Sequence, residues 1–493
     1  MGINVLNRRL RIFTPRMQRT FLTNLALVLV LNLLVKPFYI LGIDAGVQKA
    51  VGAEVYGGYA ALLSLSFLLN IVLDLGLTNY NTRHIAQHTP LMAKYLGGMA
   101  AMRGGLMLAY ALLTVGSGIA LGFSGADLGM LGWLVLNQAI VASILYLRSN
   151  IAGAQRYRQD SLLSVLDRVL LIGIVGWLLW GKATDQPFEI MWFVKAQTAA
   201  YATTALIALG MVLRLSGRVV VRWKPAFSWV VMKRSFPFAL LILLMTFYYR
   251  IDTLMLERML PDGAEQAGIY YQGFRFFEAL NMLGFLVAGL LLPMFSRMLK
   301  ERSDVSPLVG LSFKMVLAGS LAVAVFGSLH SSEVLGLIYS EHVDRSAPVF
   351  ALLIWSFAGV CTTYIFGTLL TAGGDLRALN WTAASGAILC VCLNAFLIPR
   401  MQAEGAAWAG LITQVLTAVA QLVLAIRLHK VTGAIGALVR GALFTGALVG
   451  VNALLGSAHL TLPMFALVFG VSALALAAVV GLLSPRELRK AMA

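Results

Sequence analysis

Long apolar runs separated by short polar turns recur from end to end of the chain. Read at about 20 residues per crossing of a hydrocarbon core, they predict fourteen helices. Seven lie at about 20–43, 55–77, 91–119, 128–147, 161–181, 188–213 and 236–258, and seven more at 267–297, 307–328, 346–372, 377–398, 404–426, 434–457 and 461–483. The expected fold is an all-α polytopic membrane protein. Two short correspondences within the pattern point to a repeat. Glu54-Val55-Tyr56-Gly57-Gly58-Tyr59 opens the second helix and Glu265-Gln266-Ala267-Gly268-Ile269-Tyr270 opens the eighth, while Ala152-Gly153 and Ala372-Gly373 close the fourth and tenth. Their offsets, 211 and 220 positions, suit a six-helix unit used twice, and an even helix number makes the copies parallel. The expected organisation is a basic N-terminus (1–19), an N-terminal six-helix lobe (20–213), a basic linker (214–235) and a pseudo-symmetric C-terminal lobe (236–430), then two additional helices (431–483) and a tail (484–493).

Composition agrees. Of 493 residues 59% are apolar, against roughly 45–50% in a soluble domain, and mean hydropathy is +0.84 with 12% charged. That excludes a disordered chain or a disulfide scaffold and leaves no room for a sizeable soluble domain. Cys361, Cys390 and Cys392 all sit inside apolar runs and read as packing residues.

The net charge of +17 would suggest nucleic acid in a soluble protein, but its placement says otherwise. With the N-terminus cytoplasmic, 26 of the 38 Lys and Arg fall on the cytoplasmic side, 5 outside and 7 within helices, while the 21 acids divide as 5, 12 and 4. The result is +21 inside, −7 outside and +3 within the membrane. Lys and Arg bias sets orientation, so most of the charge is topological and both termini are expected in the cytoplasm. Trp177, Trp180, Trp192 and Trp408 fall at outer boundaries and Trp223 and Trp229 at the inner one, as interfacial belts do. The first helix is too long for a signal-peptide core and has no small-residue cleavage pattern, so it reads as an uncleaved anchor.

Eleven charged residues fall inside helices: Lys36, Arg103, Arg168, Lys195, Arg250, Arg275, Lys314, Asp74, Asp167, Asp252 and Glu278. At about 3 kcal/mol each near the midplane, lipid exposure is untenable. Lys314 and Arg168 lie near cytoplasmic ends, where snorkelling suffices, although Lys314 stays with the lumen candidates. Lys36 precedes Pro37, which frees a carbonyl and bends the helix. Arg103 and Arg250 are too deep to snorkel and are expected to line an aqueous lumen. Arg250 and Asp252 point to different faces, so Asp252 would answer a base on another helix, whereas Arg275 and Glu278 share a face as a local pair. Lys36, Lys195, Arg250 and Arg275 then outnumber Asp252 and Glu278 in the outer half, a cationic cavity suited to a phosphate-bearing solute. The candidate substrate-binding residues are Arg103, Arg250, Lys36, Lys195, Arg275 and Lys314, with Asp252, Glu278 and Asp74 for ion coupling.

His84 and His88 have helical spacing but lack a zinc-site glutamate between them. No phosphate-binding loop, dinucleotide fingerprint or serine elbow occurs in the sequence, so no catalytic residue, metal or cofactor is assigned. Energy for pumping would come from an ion or substrate gradient.

The run Gly52-Ala53-Glu54-Val55-Tyr56-Gly57-Gly58-Tyr59 with Leu73-Asp74-Leu75-Gly76-Leu77 and Thr82-Arg83, and Arg250-Ile251-Asp252 with Gly268-Ile269-Tyr270 and Glu278, resembles the polysaccharide transporter family. These are Wzx-type O-antigen and repeat-unit flippases of the multidrug/oligosaccharidyl-lipid/polysaccharide (MOP) exporter superfamily. The resemblance spans most of residues 20 to 430. It implies two six-helix lobes around a central cationic cavity, with two further helices in many members. It also implies alternating access in the bacterial inner membrane, and a substrate that is an undecaprenyl-diphosphate-linked oligosaccharide for lipopolysaccharide O-antigen, capsule or exopolysaccharide. A polysaccharide polymerase and a chain-length regulator are candidate partners, with membrane lipid and without nucleic acid. In the family pattern Arg250 and Asp252 hold the seventh-helix Arg/Asp positions and Glu278 the eighth-helix acid.

A multidrug extruder of the same superfamily is one alternative, but it would need acid rather than base in its lobes. A polytopic polymerase, ligase or glycosyltransferase acting on lipid-linked sugars is another. Such enzymes usually carry a large outer loop, and the longest here is about seventeen residues, Leu329 to Arg345. A scramblase or an assembly scaffold would be separated from these by a reconstituted transport assay.

Overall fold

The computed structural model describes residues 34–75, 77, 78, 81, 85, 92–154, 156–181, 186–216, 225–456 and 460–483. The expected N-terminus 1–19, the opening of the first helix, His84, His88, positions 217–224 of the linker and the tail lie outside these residues. Among the described residues every regular element is helical.

We number the helices in chain order. Residues 34–38 run into a π-helical segment, Tyr39–Asp44, and then Ala45–Val51; together these are α1. α2 is Ala53–Leu68, extended by the turn Ile71–Asp74. There follow α3 Met92–Ala120, α4 Ala126–Gly153, α5 Tyr157–Trp180 and α6 Ile190–Ser216. The second lobe begins with α7 Pro225–Met259, α8 Gly263–Lys300, α9 Ser306–Leu329 and α10 Val343–Gly373. Leu376–His429 is two helices, because Gln402 adopts φ 52°, ψ −132° inside it; we call residues 376–401 α11 and 403–429 α12. α13 Ala434–Gly456 and α14 Leu462–Val479 are the last of the described helices. Among the described residues twelve helices are long and apolar enough to cross a membrane, and dividing the longest at Gln402 makes thirteen, each in a predicted position. α1, described from residue 34, corresponds to the C-terminal part of the first predicted helix.

Several boundaries differ from expectation, and α4 runs on to Gly153 where 147 was expected. α7 starts at Pro225, not near 236, which shortens the linker; a proline at the first helical position loses no hydrogen bond. α1 runs on to Val51, so Asp44 belongs to a helix and not to a connection. The irregularity expected at Pro37 takes the form of the π segment two residues later. Cys392 is exposed, unlike the buried Cys361 and Cys390.

Within the first lobe α4 packs on α6 and α2; in the second, α8 and α9 pack on α10, and α10 and α7 on the α11–α12 pair. α13 lies against α9 and α14 against α13, so the added pair belongs to the second lobe. Between lobes α2 meets α7 and α8, and α1 meets α8. The contact is reciprocal. A Cβ on Gly57 would stand 1.7 Å from the Ala264 carbonyl oxygen, and one on Gly268 would stand 1.9 Å from that of Ala53. Gly57 and Gly268, like Ala53 and Ala264, are separated by the repeat offset, so the two lobes present the same patch to each other across a pseudo-two-fold axis. Gln48 Nε2 donates to the Gly268 carbonyl at 2.8 Å, and Arg258 donates to the Leu121 carbonyl at 3.1 Å with its guanidinium 3.5 Å from the Phe123 ring centroid. The lobes are thus sealed at the end of the bundle that carries the α1–α2 and α7–α8 connections.

Candidate functional site

Below this seal a cavity of about 570 Å³ opens between the lobes, and a deeper one of about 240 Å³ shares Lys36, Glu278 and Met282 with it. Five basic residues line the two: Lys36 of α1, Arg148 of α4, Arg168 of α5, Arg250 of α7 and Arg275 of α8. Two acids, Asp44 and Glu278, oppose them.

The floor is one buried ionic network that crosses from lobe to lobe. Arg275 bonds Asp44 of the first lobe at 2.6 Å and Glu278 at 2.8 Å. Glu278 also bonds Arg250 at 2.5 Å, and Arg250 donates to the Tyr271 hydroxyl at 2.9 Å. Tyr56 donates its hydroxyl to Asp44 at 2.8 Å and accepts a hydrogen bond from Arg275. The Arg275 and Asp44 side chains are 6% and 3% exposed, so neither charge is tolerable without the other. Arg275 therefore has a second partner beyond the expected local pair with Glu278, and that partner lies in the other lobe.

On the first-lobe wall both arginines have a carboxylate beside them, Asp167 lying 3.8 Å from Arg168, and Lys36 is, among the described residues, the base without one. Arg168 does not snorkel outward: it donates to the Tyr201 hydroxyl at 2.9 Å and lies 4.7 Å from the Tyr39 ring centroid. Arg148 pairs with Asp160 at 2.7 Å. Lys36 lines both cavities, and among the described residues no carboxylate lies within ion-pair distance of it.

Several expected residues stand elsewhere. Arg103 is buried inside the first lobe, where it bonds Asp74 at 2.9 Å and donates to the Ala142 carbonyl at 2.7 Å; it ties α2 and α4 to α3 and lies outside the walls of both cavities. Asp74 is accordingly an ion-paired residue that also bonds Thr78. Lys195 is exposed and Lys314 half-buried, and neither lines the cavities. Asp252 answers no base: Tyr270 donates to it at 2.9 Å, Asn394 at 2.6 Å and Cys390 at 3.3 Å, and no Lys, Arg or His among the described residues is within ion-pair distance.

Asp44 and Arg148 escaped the sequence reading, and Arg168, expected to snorkel, was not placed in the cavity. Boundaries placed Asp44 and Arg148 in connections, and only the continuation of α1 and α4 carries them to the cavity. A usable signal was the tyrosine density at both repeats, Tyr56, Tyr59, Tyr270 and Tyr271, excessive for a purely apolar contact.

The sequence signature of polysaccharide biosynthesis proteins matches residues 21–299. No match is found among curated protein sequences. In backbone arrangement the chain is similar to the lipid II flippase MurJ in an inward closed conformation, with a TM-score of 0.70 and 12% identity over 94% of this chain and 99% of that one. It is also similar to the Vibrio cholerae MATE transporter VcmN, with a TM-score of 0.57 and 17% identity over 82% and 97%. An inward-facing multidrug resistance MATE family transporter of the MOP superfamily gives 0.53 and 14% over 80% and 96%. At these identities the likeness is one of fold.

Proposed function

We propose that this chain, which belongs to the polysaccharide biosynthesis protein family, turns an undecaprenyl-diphosphate-linked oligosaccharide from the cytoplasmic to the outer leaflet of the bacterial inner membrane. It does so by alternating access, as a transporter and not an enzyme, for O-antigen, capsule or exopolysaccharide assembly. The observation that carries this reading is the convergence of five basic side chains from both lobes on two adjoining cavities, with Lys36, which lines both, having no carboxylate within ion-pair distance among the described residues. A drug extruder for cations would need the opposite balance. A diphosphate replaces part of its lost hydration with charge-assisted hydrogen bonds from Lys36, Arg148 and Arg168. The polyprenyl chain has a path beside it: an apolar groove of about 570 Å³ between α1, α8, α9, α10 and α14 shares Met282 and Leu286 with the central cavity. With the basic ends cytoplasmic, the sealed end faces outward and the described state is the one that receives substrate from inside.

Lys36→Glu tests the reading. Because no carboxylate among the described residues lies within ion-pair distance of Lys36, reversal breaks no described ion pair but turns an attraction worth about 4 kcal/mol at 4 Å and an effective dielectric of 20 into a repulsion. Flipping of a fluorescent polyprenyl-diphosphate oligosaccharide in proteoliposomes is expected to fall more than about tenfold at unchanged thermal stability. A wild-type rate in that variant would remove the cavity bases from the mechanism.

Among the three candidate coupling acids, Glu278 and Asp74 are held in ion pairs, so Asp252 is the one we assign to ion coupling. A buried carboxylate with neutral donors alone is costly, which favours uptake of a proton or a monovalent cation there. Asp252→Asn is expected to leave downhill flipping measurable while abolishing its response to an imposed proton or sodium gradient. A retained response would move the coupling elsewhere.

A further inference from the structure

Along α7, Leu243, Phe247, Ile251 and Leu254 fall at successive turns of one face, and Arg258 continues that face one turn beyond. The four apolar side chains line a second lateral groove, of about 830 Å³, whose other walls come from α2 and α3 of the first lobe and α11 of the second. Every lining side chain except Ser117 and Cys392 is a hydrocarbon. The groove is the pseudo-two-fold counterpart of the one assigned to the polyprenyl chain. α2, α3 and α7 stand in it where α8, α9 and α1 stand in the other, and its Leu65, Leu68 and Leu69 are separated by the repeat offset from Phe276, Ala279 and Leu280 of that groove. The two differ in one respect. The tail groove meets the central cavity at Met282 and Leu286, whereas this one shares no described lining residue with either part of that cavity. Its occupant therefore enters from the bilayer and lies outside the transport path.

Length and rim chemistry name that occupant. From Leu243 to Leu254 the helix rises about 16 Å, close to half of a hydrocarbon core of about 30 Å, so the groove matches the depth of one leaflet, the one at the sealed end. Arg258 stands at the head-group level of that leaflet, with its side chain 28% exposed. It donates from one terminal nitrogen to the Leu121 carbonyl and from the other to Glu257, and each of these nitrogens carries a second N–H. Glu257, at 2.5 Å, already balances the charge of Arg258, and Asp127 is exposed in the first turn of α4, just after the connection that holds Leu121 and Phe123. A rim balanced towards acid suits a phosphate that carries its own ammonium and disfavours a head group of net negative charge.

We propose that the groove between α2, α3, α7 and α11 holds an acyl chain of a zwitterionic, amine-bearing membrane phospholipid, with its phosphate at Arg258. Because the walls come from both lobes, and Arg258 itself bridges them through the Leu121 carbonyl, the lipid fits the sealed arrangement of the lobes and stabilises it. The site stands apart from whatever the central cavity carries.

The test places the full chain in nanodiscs doped with phosphatidylethanolamine or phosphatidylglycerol bearing a photoactivatable acyl chain, and maps the adducts by mass spectrometry. Wild type is expected to concentrate phosphatidylethanolamine adducts on the groove walls of α7 and α11, about tenfold above phosphatidylglycerol. Arg258→Gln, which removes the charged donor, is expected to lower them about tenfold. Ala384→Phe, which fills the groove, is expected to bring them down to the level of other lipid-facing helices, and Ala475→Phe, on the exposed face of α14, to leave them unchanged. With spin labels at Glu54 and Asp262, wild type should populate the sealed interlobe distance more in phosphatidylethanolamine than in phosphatidylglycerol, and Arg258→Gln equally in both. Adducts spread evenly over lipid-facing helices, equal yields from the two head groups, or yields indifferent to both Arg258→Gln and Ala384→Phe overturn the site. Displacement of the adducts by polyprenyl diphosphate also overturns it, by making the groove a second path for a transported tail. A dimer in native mass spectra that Ala384→Phe abolishes overturns it by seating a second copy of the chain there.

Discussion

Replacing Arg275 with alanine is expected to cost about 3–5 kcal/mol of stability and to abolish transport, the largest single loss we anticipate for any side chain in the molecule. Arg275 is the group through which Asp44 of the first lobe and Glu278 of the second share one positive charge. Without it Glu278 keeps Arg250, but Asp44 is left buried with the neutral Tyr56 hydroxyl as its hydrogen-bond donor. A carboxylate in that position loses its Coulombic compensation and keeps its desolvation cost. The double variant R275A/D44N should recover much of the stability, because it removes the stranded charge along with its partner. It should not recover transport, since the ionic tie between lobes is gone. Thermal unfolding in detergent and flipping in proteoliposomes read the two effects separately. An R275A protein as stable as wild type would mean that the network does not join the lobes.

A methyl group at Gly57 is expected to be nearly as disruptive, and for a different reason. Its Cβ would lie 1.7 Å from the Ala264 carbonyl oxygen and 2.6 Å from the Gly268 amide nitrogen. Both neighbours are backbone, so no rotamer change relieves the clash and the lobes must separate at the seal. With spin labels at the exposed Glu54 and Asp262, Gly57→Ala should lengthen the interlobe distance by several ångströms and deplete the sealed state. Transport should fall about tenfold or more, because alternating access needs both end states populated. Gly58→Ala is the control one position along: a Cβ there meets nothing within 4 Å, and wild-type distance and rate are expected. An unchanged distance in Gly57→Ala would show that the close approach does not define the closed state.

These two sites also mark how far the sequence could be read. Gly57 and Gly268 were visible as matching positions in a repeat, and the repeat offset already implied that they are equivalent. That equivalent residues would touch was not implied, since two copies of a unit can be arranged side by side without meeting at that patch. Arg275 and Glu278 were legible as neighbours on a helical face because three positions is a local distance. Asp44 was not legible as their partner. Its charge fell in a presumed connection, and the π-helical segment that carries it inward leaves no mark in a hydropathy pattern. Arg103 misled in the opposite direction: depth in the membrane showed that it needed a partner, and the partner was Asp74 inside its own lobe and not a solute.

By itself the sequence determined the all-helical polytopic fold, the approximate placement of the helices, the repeat and the family. Each is a property summed along the chain, because apolar length and charge bias act residue by residue on membrane insertion and need no knowledge of what packs on what. Tertiary structure alone decided which buried charges compensate one another and which face the cavity. That depends on groups brought together from far apart, such as Tyr56 and Arg275 at 219 positions' separation, and a low-dielectric interior makes the outcome for each charge turn on a partner a few ångströms away.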